Sequence, residues 1–303
     1  MTSGQRARRT RIGIVLAAAS ALMLAINDVA VPFAYAQGFG AATVVFFRFA
    51  FLLASLMAVL PLAGLGYRLP RDHALHATGS GTIAGMATLA LLGSFALIPV
   101  SLALIILYTY PFLTALFESV HARRPPSLTE TVCLAVALAG IGIVIGLDEV
   151  TLSPLGLLLG CVSSVGYAAS IFWNSVRLRS ADGIVVTFHM AISGLAVTAL
   201  FLAASGRFAA PWPGPGGWLP LLIACVFFTV AFIGMYKAIE LVGGAPTAML
   251  LNLEPVFVMV LAALLLGEAL TLPRVLGGAM VIGAVVVSEA RRSRRNLAVG
   301  LPV

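Results

Sequence analysis

"MLLNLEPVFVMVLAALLLGE", residues 249–268, is apolar almost throughout, yet it carries Glu254 and Pro255 near its middle. A run of about 20 apolar residues is what an α-helix needs to cross a hydrocarbon core about 30 Å thick. A charge at the centre of such a span is disfavoured by about 2.5–3.5 kcal/mol on insertion scales, so it faces a cavity or a partner rather than lipid. Pro255 removes the amide that would bond the carbonyl of Leu251. The helix can therefore bend there and leave a carbonyl free.

Working outward, similar runs fill the chain. Of the 303 residues, 61% are hydrophobic and 10% charged, and the mean hydropathy is +1.08, outside the range of soluble domains. Spans are predicted over residues 12–35, 40–64, 75–96, 99–120, 128–147, 154–175, 184–205, 218–238, 244–266 and 271–289. "LIPVS" (97–101) is the only break between the third and fourth, but 75–120 is too long for a single crossing. The expected fold is an all-α integral membrane protein of about ten transmembrane helices. A basic N-terminus (1–11) and a basic tail (290–303) flank two five-helix units, 12–147 and 148–289.

Charge sets the orientation. With ten spans, the segments on the side of the termini hold fifteen basic residues, among them Arg6, Arg68, Arg123, Arg124, Arg177, Lys237 and Arg291. The other side holds Arg207 and Arg274, with Asp148, Glu149 and Glu268. By the positive-inside rule both termini are cytoplasmic, in the inner (plasma) membrane. The net charge of +7 is then explained by topology and anionic lipid, with no nucleic-acid partner. "AYA" (34–36) imitates a signal-peptide cleavage site, but the run before it is too long and carries Asn27 and Asp28, so it is kept as the first span. Cys133, Cys161 and Cys225 lie in spans without metal spacing and are expected to be buried apolar fillers.

An offset of 144 residues lays "LIPVSLALIILYTYPFLTALF" (97–117) on "LVGGAPTAMLLNLEPVFVMVL" (241–261), pairing Pro111 with Pro255. Near the start, "GIVLAAASA" (13–21) falls on "GLLLGCVSS" (156–164) at an offset of 143. Five spans is an odd number, so the second copy enters the membrane from the opposite side. The two halves are inverted repeats, an architecture that lets one midplane site face either side by rocking.

"LNLEPVFVMVLAALLLGEALT" with "GGAMVIGAVVV", and "YTYPFLTALFESVHARRPPS" with "AGIGIVIG", resemble the EamA-type carriers of the drug/metabolite transporter superfamily over residues 12–289. The resemblance implies a small-molecule carrier with a central cavity, often an exporter of amino acids or other metabolites. One departure is that Arg124 stands where the second half has Glu268.

Three ionisable residues fall at mid-depth: Asp28, Arg48 and Glu254. Glu254 is expected to bind cations or take up and release protons, beside Asn252, Tyr108 and Tyr110 and between the bends at Pro111 and Pro255; alternatively it is hydrogen-bonded to a neighbour and silent. Asp28 and Arg48 lie at similar depth on adjacent antiparallel spans. They form a salt bridge, or Arg48 binds an anionic substrate group when that bridge is open. Tyr167 and Asn174 are candidate cavity residues, Trp173 belongs to an aromatic belt, and His189 is either a proton relay or hydrogen-bonded. Glu118 and His121 read as interfacial contacts. "PWPGPGGW" (211–218) reads as an aromatic cap on the outer surface.

"GTIAG" (81–85), "GIVIG" (142–146) and "GLLLG" (156–160) permit close helix packing, within the chain or between protomers of a homodimer. No metal, nucleotide or prosthetic group is implied. The metalloprotease, nucleophile-elbow and P-loop patterns are missing, and "GSGTIA" (79–84) opens a span rather than following a strand. The reading is not an enzyme but a carrier of a small amino acid, amine or drug-like solute. A membrane scaffold, or an intramembrane enzyme acting on a lipid-like substrate, are the alternatives.

Overall fold

The computed structural model describes residues 3–95, 97–98, 100–123, 127–145, 153–206, 215–266 and 270–299. The expectations for Arg124, Asp148, Glu149, Arg207, Glu268 and residues 211–214 of the aromatic cap lie outside them. Every regular element among the described residues is helical. The first half contributes α1 (Ser3–Ala36), α2 (Ala41–Leu62), α3 (Arg71–Phe95), α4 (Val100–Leu107), α5 (Tyr110–His121) and α6 (Leu128–Ile145). The second contributes α7 (Pro154–Arg177), α8 (Gly183–Ser205), α9 (Leu219–Val242), α10 (Gly244–Leu251), α11 (Glu254–Leu266) and α12 (Leu272–Val299).

Local chemistry sets several ends. Ser153 caps α7 by accepting from the Gly156 amide at 3.4 Å, with Pro154 at the first helical position. Asp182 caps α8 through the Ile184 amide at 2.8 Å, and α8 ends on Gly206 in the left-handed region (φ +63). Among the described residues, seven helical stretches are long and apolar enough to cross a membrane: 7–36, 41–62, 103–121, 154–177, 183–205, 216–242 and 244–265. α6 and α12 supply shorter apolar stretches, 131–143 and 275–288. α3 is 25 residues long, but Ser80, Thr82, Thr88 and Ser94 dilute its hydropathy. Three of those four face α7 rather than lipid: Ser80 pairs with Ser170 at 2.9 Å, Thr88 with Tyr167 at 2.7 Å, and Ser94 donates to the Gly156 carbonyl at 3.0 Å.

Packing follows the repeat. α1 lies along α9 as α7 lies along α3, and α1 touches α10 and α11 as α7 touches α4 and α5. α2 packs on α8, and α6 on α12. Exchanging the halves therefore reproduces the pairings. Glycines set the closest approaches. A Cβ on Gly81 would stand 2.5 Å from the Cα of Met190 in α8, and one on Gly156 would stand 2.7 Å from Ile98, so "GTIAG" and the start of "GLLLG" serve packing within the chain. α6 and α12 also approach closely at a pair the spacing did not single out, Gly140 against Gly277.

A charged cluster closes the end of the bundle where α1 begins. Lys237 Nζ lies 2.7 Å from both Asp182 Oδ2 and Glu240 Oε2, Glu240 accepts from the Gly183 amide at 2.9 Å, and Arg9 stands 3.8 Å from Glu240. Burial alone pushes the Asp182 carboxyl up, but hydrogen bonds from Lys237 and the Ile184 amide outweigh it and hold it below its ordinary value. A carboxyl depressed in this way adds stability that is complete above its unfolded value, about 3.9, and is lost as pH falls through the folded value. Asp182→Asn keeps a capping side chain and is expected to cost less than about 1 kcal/mol at pH 7, because solvent screens the pair. The wild type should then lose more thermal stability than the variant as pH falls from 6 towards 3. Parallel loss in the two proteins would remove Asp182 from the acid response.

Candidate functional site

The two repeat-related prolines, Pro111 and Pro255, stand at helix breaks. α4 stops at Leu107 and α5 starts at Tyr110, while α10 stops at Leu251 and α11 starts at Glu254, 144 residues on. The interruptions tighten into three-residue turns. The Thr109 amide bonds the Ile106 carbonyl at 3.2 Å, and the Leu253 amide bonds the Leu250 carbonyl at 3.1 Å. Pro111 likewise lacks the amide that would bond the Leu107 carbonyl, and that oxygen accepts the Ser164 hydroxyl of α7 at 3.1 Å. A packing partner, not a substrate, satisfies it.

The two breaks meet. Tyr108 at the end of the first donates its hydroxyl to Glu254 Oε1 at the start of the second, 3.1 Å away, and both side chains are buried. The Asp28 carboxyl of α1 lies within hydrogen-bonding reach of Glu254. Asn27 Nδ2 donates to Asp28 Oδ1 at 2.8 Å.

Above this pair is a cavity of about 440 Å³. Of the residues singled out from the sequence, Asp28, Arg48, Tyr108, Tyr110, Tyr167 and Glu254 all line it. Tyr35, Phe228, Phe232 and Tyr236 complete an aromatic wall that the sequence reading missed. The four-residue spacing of Phe228, Phe232 and Tyr236 along one face of α9 was the available signal. Tyr35, 40% exposed, lines the cavity near the end where α1 finishes. The position 143 residues on in the second half, Leu178, is 3% exposed.

Several expectations require correction. Asp28 and Arg48 form no ion pair within 4.0 Å; the three pairs among the described residues are Arg9–Glu240, Lys237–Asp182 and Lys237–Glu240. The reason is a competing partner at the same depth: Glu254 takes Asp28, and Arg48 lies over the Phe228 ring, 5.4 Å from its centroid. Asn252 is buried 3.9 Å from the Met249 sulfur and does not line the cavity. His189 contacts the Tyr67 carbonyl at 3.0 Å near the start of α8, outside the cavity. Asn174 is buried against Ser80 and the Ser170 carbonyl, and Cys161 is exposed rather than buried.

Other residues land in structural positions. Glu118 joins the two halves by accepting from Ser175 at 2.8 Å and from the Ala245 amide at 3.1 Å, at the start of α10. His121 packs on the Phe172 ring. Trp173 is partly exposed and bonds His76, and Trp218 packs on Phe39 and Phe47. Among the described residues no group of three His, Cys, Asp or Glu side chains is placed to hold a metal.

The profile of the EamA-like transporter family matches twice in tandem, over residues 11–146 and 154–289. The chain belongs to the EamA-like transporter family. It is a membrane transporter of the drug/metabolite type, and its two family repeats are the halves related by the paired helix breaks. No match was found among curated proteins. A protein of known crystal structure superposes on this EamA-like chain with a TM-score of 0.80, over 93% of this chain and 98% of that one, at 17% identity. That likeness speaks for the shared fold.

Proposed function

We propose that this EamA-like transporter is a proton-coupled secondary carrier that exports a small amphipathic solute, an amino acid, amine or drug-like molecule, by alternating access. It spans the inner membrane about ten times, with both termini in the cytoplasm and α3, α6 and α12 completing the count. The observation that carries the reading is the meeting of the two helix breaks at Tyr108 and Glu254, in the wall of a cavity of about 440 Å³. A site on the axis relating two inverted repeats can be handed from one side to the other by exchanging their conformations. Glu254, shared between Tyr108 and Asp28, is the coupling group, exchanging a proton in each transport cycle. Solute flux from proteoliposomes loaded with pooled metabolites, with and without an imposed pH gradient, tests the proposal. Net export that rises with the gradient supports it, and a wild type that moves nothing from the pool, gradient or not, would sink it.

A further inference from the structure

We propose that Arg48 determines specificity by selecting a solute that carries an anionic group, a carboxylate or comparable oxyanion, on an apolar body; this rests on the carrier reading above. Arg48 sits in α2, lines the cavity and has no carboxylate within 4.0 Å among the described residues. Its Nε is buried without a hydrogen-bond partner. Contact with the Phe228 ring orients the guanidinium but is weaker than the hydration a buried cation loses. The acids across the cavity are already engaged, Glu254 by Tyr108 and Asp28, and Asp28 by Asn27. An incoming ammonium would meet acceptors already in use and the repulsion of Arg48.

An incoming oxyanion meets the opposite situation. The guanidinium fork is unspent and matches the two oxygens of a carboxylate. The rest of the wall suits an apolar body, with Phe228 and Phe232 rings 4.1 Å apart on one side and Tyr110 and Tyr167 on another. A volume of about 440 Å³ limits that body to a small organic molecule.

The test uses three probes with one aromatic body and different charge: 3-phenylpropionate, 3-phenylpropanamide and 3-phenylpropylamine. Binding is measured by calorimetry on the full-length chain in lipid nanodiscs. The wild type should bind the propionate at least about tenfold more tightly than the amide. Arg48→Gln should erase that preference while changing amide affinity less than about threefold, and Arg48→Lys, which keeps the charge and loses the fork, should retain part of it. Equal binding of propionate and amide by the wild type, tightest binding of the amine, or a preference that survives Arg48→Gln would each overturn the inference. If the Gln variant does not fold, the wild-type order and the Lys variant still decide. Proteoliposomes that carry the amine but not the propionate would overturn it and leave the carrier reading standing. A wild type that prefers the propionate yet carries no solute would keep Arg48 as an anion site and remove the carrier reading.

Discussion

Glu254→Gln is expected to lower gradient-driven solute accumulation in proteoliposomes by at least about tenfold, and to leave the residual flux independent of the pH gradient. Gln matches Glu in size and can still accept the Tyr108 hydroxyl, so the packing where the breaks meet is retained. What it cannot do is take up or release a proton. The variant therefore separates two roles. A purely structural Glu254 would let Gln transport at the wild-type rate with the wild-type gradient dependence, and that result would return Glu254 to a packing role. Glu254→Asp, which keeps a titrating group one methylene shorter, should recover part of the gradient dependence.

The second large effect is expected at the α6–α12 contact. A Cβ on Gly140 would lie 2.6 Å from the Gly277 carbonyl oxygen and 3.0 Å from Met280 Cβ, and one on Gly277 would lie 2.6 Å from the Gly140 carbonyl oxygen. The obstruction is backbone on both sides, so the helices must move apart. Gly140→Ala should therefore cost about 1–3 kcal/mol, read as a lower melting temperature in detergent. Gly142→Ala is the control, since nothing lies within 4 Å of its Cβ position. There alanine's better helix propensity should leave stability unchanged or slightly raised. Equal effects of the two substitutions would mean that α6 and α12 do not pack through Gly140.

These sites differ in how far the sequence discloses them. The breaks at Pro111 and Pro255 are legible because proline acts on its own backbone, and the 144-residue offset is visible in the chain itself. The gathering of Tyr108, Tyr110 and Glu254 follows from that offset. The partner of Asp28 is not legible. Depth along two spans allows Arg48 but cannot rank it against Glu254, which comes from a helix 226 residues away in sequence. Spacing rules fail similarly for glycine. "GIVIG" drew attention to Gly142, which faces open space, while Gly140 one turn-fraction earlier faces α12. Which stripe of a uniformly apolar helix turns inward depends on its neighbour, and α6 has almost no polar face to reveal it. For His189 the sequence allows a relay or a hydrogen bond, and depth alone does not choose; it stands close to a helix start and contacts a loop carbonyl.

The central claim is that one site is exposed alternately by two halves that exchange conformations. Its most direct test is thiol labelling from each side of the membrane at Tyr35→Cys and, separately, Leu178→Cys, in a background lacking Cys133, Cys161 and Cys225. Tyr35 lines the cavity and is exposed, and Leu178, its counterpart in the second repeat, is buried. The account predicts labelling at position 35 from one side and at position 178 from the other, with transported solute and pH moving the two rates in opposite directions. Labelling at position 35 under all conditions, with position 178 never reached from either side, would contradict it.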